Sequence, residues 1–171
     1  IGYLLYGRFD DGENDRFIDS VDVALQAMKA EGITDVIVDL RYNRGGDIDA
    51  AVNLANALVD ADAAQNEEVF VKFKYNDQIQ QIIEDEEGAE SDSLQRTFSV
   101  DPENLGLTKV YFLTSSQTSS TSEMLINGLI PHSDVHIIGE VTEGSFYGSK
   151  VIFGADATPE NDLIIVPVVV K

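Results

Sequence analysis

The sequence predicts an α/β fold in which a mainly parallel sheet is covered by helices. Short apolar segments rich in β-branched residues alternate along the chain with segments whose apolar residues recur every three or four positions. The first pattern is typical of buried strands and the second of amphipathic helices. Their alternation indicates repeated β-α-β units.

The first β-α-β unit is predicted at the start of the chain. A strand is expected at residues 1–6, and apolar residues then keep helical spacing from Phe17 to Met28. Gly32 follows where a helix terminus favours glycine. Residues 36–40 (VIVDL) form a short apolar run, which predicts the second strand.

The remaining elements follow from the same two patterns. Helical spacing predicts further helices, and short apolar runs bounded by turn residues predict further strands. In chain order these are a helix at 48–59, strands at 69–75 and 110–114, a helix through 124–129, and strands at 135–138, 150–153 and 163–170.

The chain is expected to form one domain over residues 1–171, because 171 residues with 43% hydrophobic content suffice for a single core. Within it, residues 76–106 carry few large apolar side chains and include the acidic run EDEE at 84–87. This segment is predicted to be a solvated excursion with one short helix. The acidic run is interpreted as a solvated face rather than a metal site.

Composition excludes several classes of function. The formal net charge is −20, from 31 acidic and 11 basic residues, and such a surface repels nucleic acid and anionic lipid. The absence of cysteine excludes disulfides, thiolate zinc sites and a cysteine nucleophile. No apolar run approaches the ~18 residues of a membrane span, and no signal peptide is visible. We expect no nucleic-acid partner, no membrane insertion in this region and no cofactor, while the oligomeric state stays open.

The first loop that could carry chemistry is DLRYNRGG at residues 39–46, between a predicted strand and a predicted helix. The Gly45-Gly46 pair allows positive φ angles and can turn backbone N–H groups outward, which suits an oxyanion hole or an anion nest. The alternative is a tight strand-to-helix turn without a catalytic role. The spacing does not match the phosphate-binding glycine patterns.

The second loop is the hydroxyl-rich run TSSQTSSTSE at residues 114–123. Ser120 and Glu123 have the spacing of a capping box, which would serve only to begin a helix. Alternatively, Ser120 presents its hydroxyl at a helix N-terminus, where free N–H groups and the helix dipole stabilise a developing oxyanion. Both interpretations select the same serine.

Three segments resemble motifs of the C-terminal processing (tail-specific) serine peptidases. Residues 39–46 are similar to that family's Asp-Leu-Arg-x-Asn-x-Gly-Gly signature, and residues 118–123 (TSSTSE) to its Ser-Ala-Ser-Ala-Ser-Glu signature. Residues 138–144 (IGEVTEG) contain its Gly-Glu-x-Thr-x-Gly stretch. The motifs occur in the family's order. The resemblance implies a catalytic core of the ClpP/crotonase-like superfamily.

The resemblance also implies roles for individual residues. Ser120 corresponds to the family nucleophile, and backbone N–H groups of the Gly45-Gly46 turn and of Thr121 correspond to the oxyanion donors. The general base of active members is a lysine, and that position is Ser145 in this chain. A serine hydroxyl cannot accept a proton near neutral pH as a desolvated lysine amine can.

Substitute bases are few. Lys150 lies five residues beyond Ser145 and would point to the opposite face of a strand, while Ser149 could orient a base if one were present. A helix beginning at Ser120 would carry His132 about 18 Å along its axis, so His132 and His136 are predicted to be surface histidines.

Three functions from different classes are compatible with these observations. The first is a serine endopeptidase that forms an acyl-enzyme on Ser120 and cleaves polypeptide tails bound as an extra strand at the sheet edge. The second is a pseudo-peptidase that binds peptides or protein partners without cutting them, because position 145 is serine. The third is an acyl-thioester enzyme, for which the hydroxyl-rich loop is superfluous and the acidic surface a poor match.

The resemblance carries two further expectations. Family members usually have a PDZ-like module and an N-terminal helical segment before this core, and neither is recognised in residues 1–171. A location in the periplasm or cell envelope, or outside the cell, is implied by the family alone.

Overall fold

The structure is a computed structural model, and it describes residues 1–10, 16–145, 147–149, 152–153, 164–165 and 168–170. The chain divides into two compact units: residues 1–71 with 96–145 form unit 1, and residues 72–95 with 146–171 form unit 2. The prediction of one peptidase domain over 1–171 stays a prediction. The described elements are β1 (Gly2–Leu5), α1 (Arg16–Ala30), β2 (Asp35–Asp39), α2 (Ile48–Leu58), α3 (Ala61–Gln65), β3 (Val69–Lys72), α4 (Asp77–Glu87), β4 (Gln95–Thr97), β5 (Lys109–Thr114), α5 (Thr121–Leu129), β6 (Val135–Gly139), β7 (Gly148–Ser149), β8 (Ile152–Phe153), β9 (Ile164–Ile165) and β10 (Val168–Val170).

Unit 1 is built on a four-stranded parallel sheet with the strand order β1-β2-β5-β6. The α/β class with a parallel sheet covered by helices is therefore confirmed. Because the spatial order of the strands follows the chain order, right-handed crossovers place α1, α2 and α5 of unit 1 on the same face of the sheet. The carboxyl ends of all four strands then meet at one edge, where open α/β sheets concentrate binding groups.

The helix-covered face of the sheet forms the core. Val36, Val38 and Phe112 are fully buried and pack with Leu25, Leu54 and Leu125 of α1, α2 and α5 in one cluster. The opposite face retains apolar side chains that are more than half exposed: Tyr3 at 53%, Leu5 at 59% and Ile138 at 53%.

The helix that follows the first candidate loop begins at a side-chain cap. The Asp47 carboxylate accepts hydrogen bonds from the N–H groups of Asp49 at 2.7 Å and Ala50 at 3.0 Å. Such a cap satisfies donors that the first turn of a helix cannot bond internally. It therefore fixes where the glycine turn ends and α2 begins.

Among the described residues, the strands outside the main sheet form three two-stranded sheets. β3 pairs with β4, β7 with β10, and β8 with β9, the last two pairs antiparallel. The predicted strand at 69–75 ends at Lys72. The predicted excursion contains α4, which begins at the Asn76 cap and buries none of its residues.

Among the described helices, none has the length and apolar character needed to cross a bilayer.

Candidate active site

The first candidate loop is fixed by the buried side chain of Asn43. Its Nδ2 donates to the carbonyl of Tyr6 at 2.9 Å, and its Oδ1 accepts from the N–H of Gly45 at 2.8 Å. The carbonyl of Asn43 accepts from the N–H of Ser119 and from the hydroxyl of Ser122, each at 3.2 Å. One residue therefore joins the end of β1, the glycine turn and the second loop.

The glycine turn is packed too closely for any side chain. The φ angles are 93° at Gly45 and 140° at Gly46, where residues with a Cβ are strained. A Cβ at Gly45 would lie 2.8 Å from the Cβ of Ser120, and one at Gly46 would lie 1.8 Å from the carbonyl oxygen of Phe9. Glycine is thus required at both positions, and Gly45 lies directly against the candidate nucleophile.

Ser120 occupies a strained backbone conformation at the N-terminus of α5. Its φ is 55° and its ψ is −119°, a combination that costs a non-glycine residue on the order of 1–3 kcal/mol. A serine in a strained backbone conformation directly before a helix also occurs at the nucleophile elbow of α/β-hydrolases. The next residue, Thr121, donates its hydroxyl to the carbonyl of Gly46 at 2.8 Å. The structure therefore brings Gly45, Gly46, Ser120 and Thr121 together.

The buried carboxylate of Glu123 joins the second loop to residues 142–145. Its Oε2 accepts the N–H groups of Ser120 and Ser145, each at 2.9 Å. Its Oε1 accepts the hydroxyl of Thr142 at 2.5 Å and the N–H of Gly144 at 2.6 Å. The sequence predicts only helix capping for Glu123, and the bond to Ser120 fulfils that role. The other three bonds connect residues 142–145 to the beginning of this helix.

The shared carboxylate oxygen locates Ser145 relative to Ser120. Both backbone nitrogens lie 2.9 Å from Oε2 of Glu123, so they can be no more than twice that distance apart. Two backbone bonds also secure this segment, from Glu140 to the carbonyl of Thr114 at 3.1 Å and from Glu143 to that of Thr118 at 3.0 Å. Position 145 is therefore held beside the candidate nucleophile.

Comparison with known proteins identifies the family. Residues 1–158 match the model of Peptidase family S41. The chain belongs to this family. The resemblance to C-terminal processing peptidases is confirmed, since the chain is 24% identical over 144 residues to a probable CtpA-like serine protease of Staphylococcus haemolyticus. That match covers 84% of this chain and 25% of the relative.

Solved structures of the family share the fold. A putative S41 protease from Bacteroides fragilis superposes with a TM-score of 0.79 at 28% identity, covering 99% of this chain and 41% of that one. The photosystem II D1 C-terminal processing protease superposes with a TM-score of 0.66 at 22% identity, covering 99% and 36%. The chain thus spans about a quarter of the length of the CtpA-like relative. It spans about two fifths of the length of these two solved chains.

The two histidines lie in other surroundings. His132 is less exposed than the sequence predicts: its side chain is 13% exposed, with Nδ1 2.8 Å from Oε2 of Glu68 and its ring edge-on to Phe98. His136 is 43% exposed in its side chain, and its ring stacks on that of Tyr111 with 5.0 Å between the centroids. Packing against an aromatic ring and a carboxylate covers most of the His132 side chain, which residue type alone does not predict.

Lys150 and Ser149 are the other candidates that the sequence offers. Lys150 lies outside the described residues. Ser149 is an exposed residue of β7 in unit 2. Within the described residues, no group of three or more histidine, aspartate or glutamate side chains is arranged to hold a metal ion.

An ion pair between a buried carboxylate and a half-exposed arginine lies at the end of β2. The fully buried carboxylate of Asp39 accepts from Nε of Arg41 at 2.9 Å, from Nη2 at 2.6 Å and from the hydroxyl of Tyr3 at 2.6 Å. These hydrogen bonds, with the guanidinium foremost, hold the pKa of Asp39 well below its usual range. The Asp-Leu-Arg signature therefore has a structural role at the start of the first loop.

We predict that Glu123→Gln destabilises unit 1. The amide can accept at only one of its two atoms, so N–H groups that now share the carboxylate lose a partner, at a cost of about 1.5–3 kcal/mol each. Denaturant unfolding measures the change, with Glu143→Gln as the control because Glu143 is an exposed neighbour. An unchanged free energy of unfolding for Glu123→Gln would contradict the bridging role.

We predict that Arg41→Gln is less stable at pH 7 and that the deficit shrinks in acid. A lowered carboxyl pKa contributes stability above the unfolded value of about 4, and this contribution is lost as the pH falls through the folded value. Wild type should therefore lose stability below about pH 4 more steeply than the variant. Unfolding at pH 7, 4 and 2.5 measures this difference. The control is Arg8→Gln, which removes an exposed arginine 3.8 Å from Asp10. Parallel pH profiles for Arg41→Gln and wild type would refute the prediction.

Proposed function

We propose that this chain is the catalytic core of a serine endopeptidase that forms an acyl-enzyme on Ser120 and cleaves polypeptide tails. Membership of a peptidase family supports the serine-peptidase chemistry. The observation that carries the proposal is the strained Ser120 at the N-terminus of α5, in contact with the glycine turn. A nucleophile in this position is next to donors suited to an oxyanion.

In this proposal Oγ of Ser120 bonds to the substrate carbonyl carbon, and two backbone N–H groups stabilise the resulting oxyanion. When the tetrahedral intermediate collapses, the C–N bond breaks and the amine leaves with the proton of the Ser120 hydroxyl, carried to it by water. A second water then hydrolyses the ester and restores Ser120.

We assign the two backbone N–H groups to Thr121 and Gly46, because the N–H of Gly45 already donates to Asn43 at 2.8 Å. The contribution of Gly45 is instead the absence of a side chain, which lets the turn approach Ser120. The bond from the Thr121 hydroxyl to the carbonyl of Gly46 supports a fixed distance between the two assigned donors.

We expect the substrate backbone to bind along the outer edge of β6. In the described part of the chain, β6 is the last strand of the parallel sheet and pairs only with β5. An extended peptide could add to its outer edge through backbone hydrogen bonds. The chain continues from β6 to Ser145, so such a peptide would run towards Ser120.

A second candidate function is a pseudo-peptidase that holds peptide or protein partners without cleaving them. The favouring observation is Ser145, whose N–H is bound by the same Glu123 oxygen as that of Ser120. The position that in active relatives is lysine is thus beside the nucleophile and carries a hydroxyl. Without a base, attack by Ser120 leaves its proton without an acceptor, and the acyl-enzyme forms slowly.

We further propose a polypeptide partner and an envelope or secreted location, with the periplasm as the specific expectation. Membership of a peptidase family supports the polypeptide partner, and the location rests on the resemblance to C-terminal processing peptidases.

We predict that a fluorophosphonate probe labels Ser120. Intact-mass analysis and peptide mapping should find one adduct in wild type, none in Ser120→Ala, and an unchanged adduct in the control Ser116→Ala, which removes an exposed hydroxyl of the same loop. Labelling of Ser120 supports the endopeptidase. Absence of label together with measurable peptide binding favours the pseudo-peptidase.

We also predict that Ser145→Lys increases peptide cleavage by about 100-fold or more, the usual contribution of a general base. The reason is that Glu123 fixes the backbone at position 145, so a lysine there starts from the place of the family base. A fluorogenic peptide assay measures the gain, and Ser116→Lys is the matched control. No gain in Ser145→Lys with retained folding would count against Ser120 as a competent nucleophile.

A further inference from the structure

Arg44 is an exposed cation held next to the candidate nucleophile. Its two neighbours in the chain are both fixed: the carbonyl of Asn43 accepts from the N–H of Ser119 at 3.2 Å, and a Cβ on Gly45 would lie 2.8 Å from that of Ser120. Consecutive Cα atoms are about 3.8 Å apart, so the backbone of Arg44 cannot move away from Ser120 without breaking these contacts.

The Arg44 side chain extends to the loop that leads into Ser120. Its Nη2 lies 3.5 Å from Oε1 of Gln117, which is an exposed and neutral acceptor. That distance is at the weak limit for a hydrogen bond. The guanidinium is thus positioned over the second loop but only loosely bound there.

The absence of a carboxylate partner distinguishes Arg44 from other arginines of the chain. Arg8, Arg41 and Arg96 each form an ion pair with an aspartate, whereas no carboxylate pairs with Arg44 among the residues described at 1–10, 16–145 and 147–149. The chain has 31 acidic and 11 basic residues, so carboxylates are abundant. Among the described residues no carboxylate occupies this guanidinium beside the candidate nucleophile, which leaves its N–H donors open to a ligand.

We propose that Arg44 binds a carboxylate of the polypeptide substrate next to the scissile bond and thereby selects acidic segments or free chain ends. This inference rests on the proposed function and names its substrate class. A guanidinium offers paired N–H donors that match a carboxylate, and such charge-assisted bonds are stronger than neutral ones. The acidic surface elsewhere repels the same peptides, so recognition depends on this local cation.

The test uses three versions of one fluorescent peptide: with a free C-terminal carboxylate, with an amidated end, and amidated with a glutamate placed near the scissile bond. Fluorescence anisotropy measures binding to the 171-residue chain. Wild type should bind at least one carboxylate-bearing peptide about 10-fold more tightly than the neutral one. The free-end and glutamate peptides separate the two sources of the carboxylate.

Variants assign the preference to Arg44. Arg44→Gln should bind all three peptides as wild type binds the neutral one, and Arg44→Glu should favour a lysine-bearing peptide instead. Lys29→Gln is the control, because it removes an exposed cation from the last turn of α1. The control should keep the wild-type preference.

Failure of the Arg44 assignment and failure of the proposed function give different results. If Arg44→Gln retains the preference for carboxylate-bearing peptides, or wild type binds all three equally, the assignment of Arg44 is overturned while the peptide-binding function stands. If folded wild type binds none of the peptides, both the assignment and the proposed function are overturned.

Discussion

The carboxylate of Glu123 is the interaction on which the rest of the site depends. Four donors from two separate segments converge on its two oxygens: the N–H groups of Ser120, Gly144 and Ser145, and the hydroxyl of Thr142. An ionised carboxylate is tolerated in a buried position only when such bonds replace its hydration. The burial of Glu123 therefore depends on residues 142–145 being ordered beside α5, and the order of those residues depends in turn on Glu123.

The side chain and carbonyl of Asn43 in the first loop also hold the site together. Asn43 binds Tyr6, Gly45, Ser119 and Ser122, so the glycine turn and the serine turn are fixed to each other before any substrate arrives. The strain at Ser120, on the order of 1–3 kcal/mol, is comparable to one hydrogen bond to a charged group, at about 1.5–3 kcal/mol. The bond from Ser120 to Glu123 is thus comparable in size to the cost of the strained backbone at Ser120.

The sequence predicts the local parts of this arrangement better than the long-range ones. Apolar periodicity locates β2, β5 and α5, and the positive φ of Gly45 and Gly46 follows from residue type, because these depend on neighbours in the chain. The partners of Glu123 at Thr142, Gly144 and Ser145 lie 19 to 22 residues away, and spacing alone does not reveal them. The Gly-Glu-x-Thr-x-Gly motif is the signal that could have found them. The exposed sheet face escapes prediction too, since apolar strands alone do not tell which face stays uncovered.

The residues assigned to bind the substrate carbonyl are different from the residue at the position of the family base. The groups assigned to hold a substrate carbonyl belong to Gly46 and Thr121, and the groups that position them belong to Asn43 and Glu123; none of these is altered by the residue type at position 145. Glu123 binds the backbone N–H of Ser145, so this bond does not depend on the type of side chain at position 145. Under the proposed function, a chain with serine at position 145 still has the candidate nucleophile and the assigned donors. The two proposed functions then share one structure, and they differ in whether the proton of Ser120 has an acceptor.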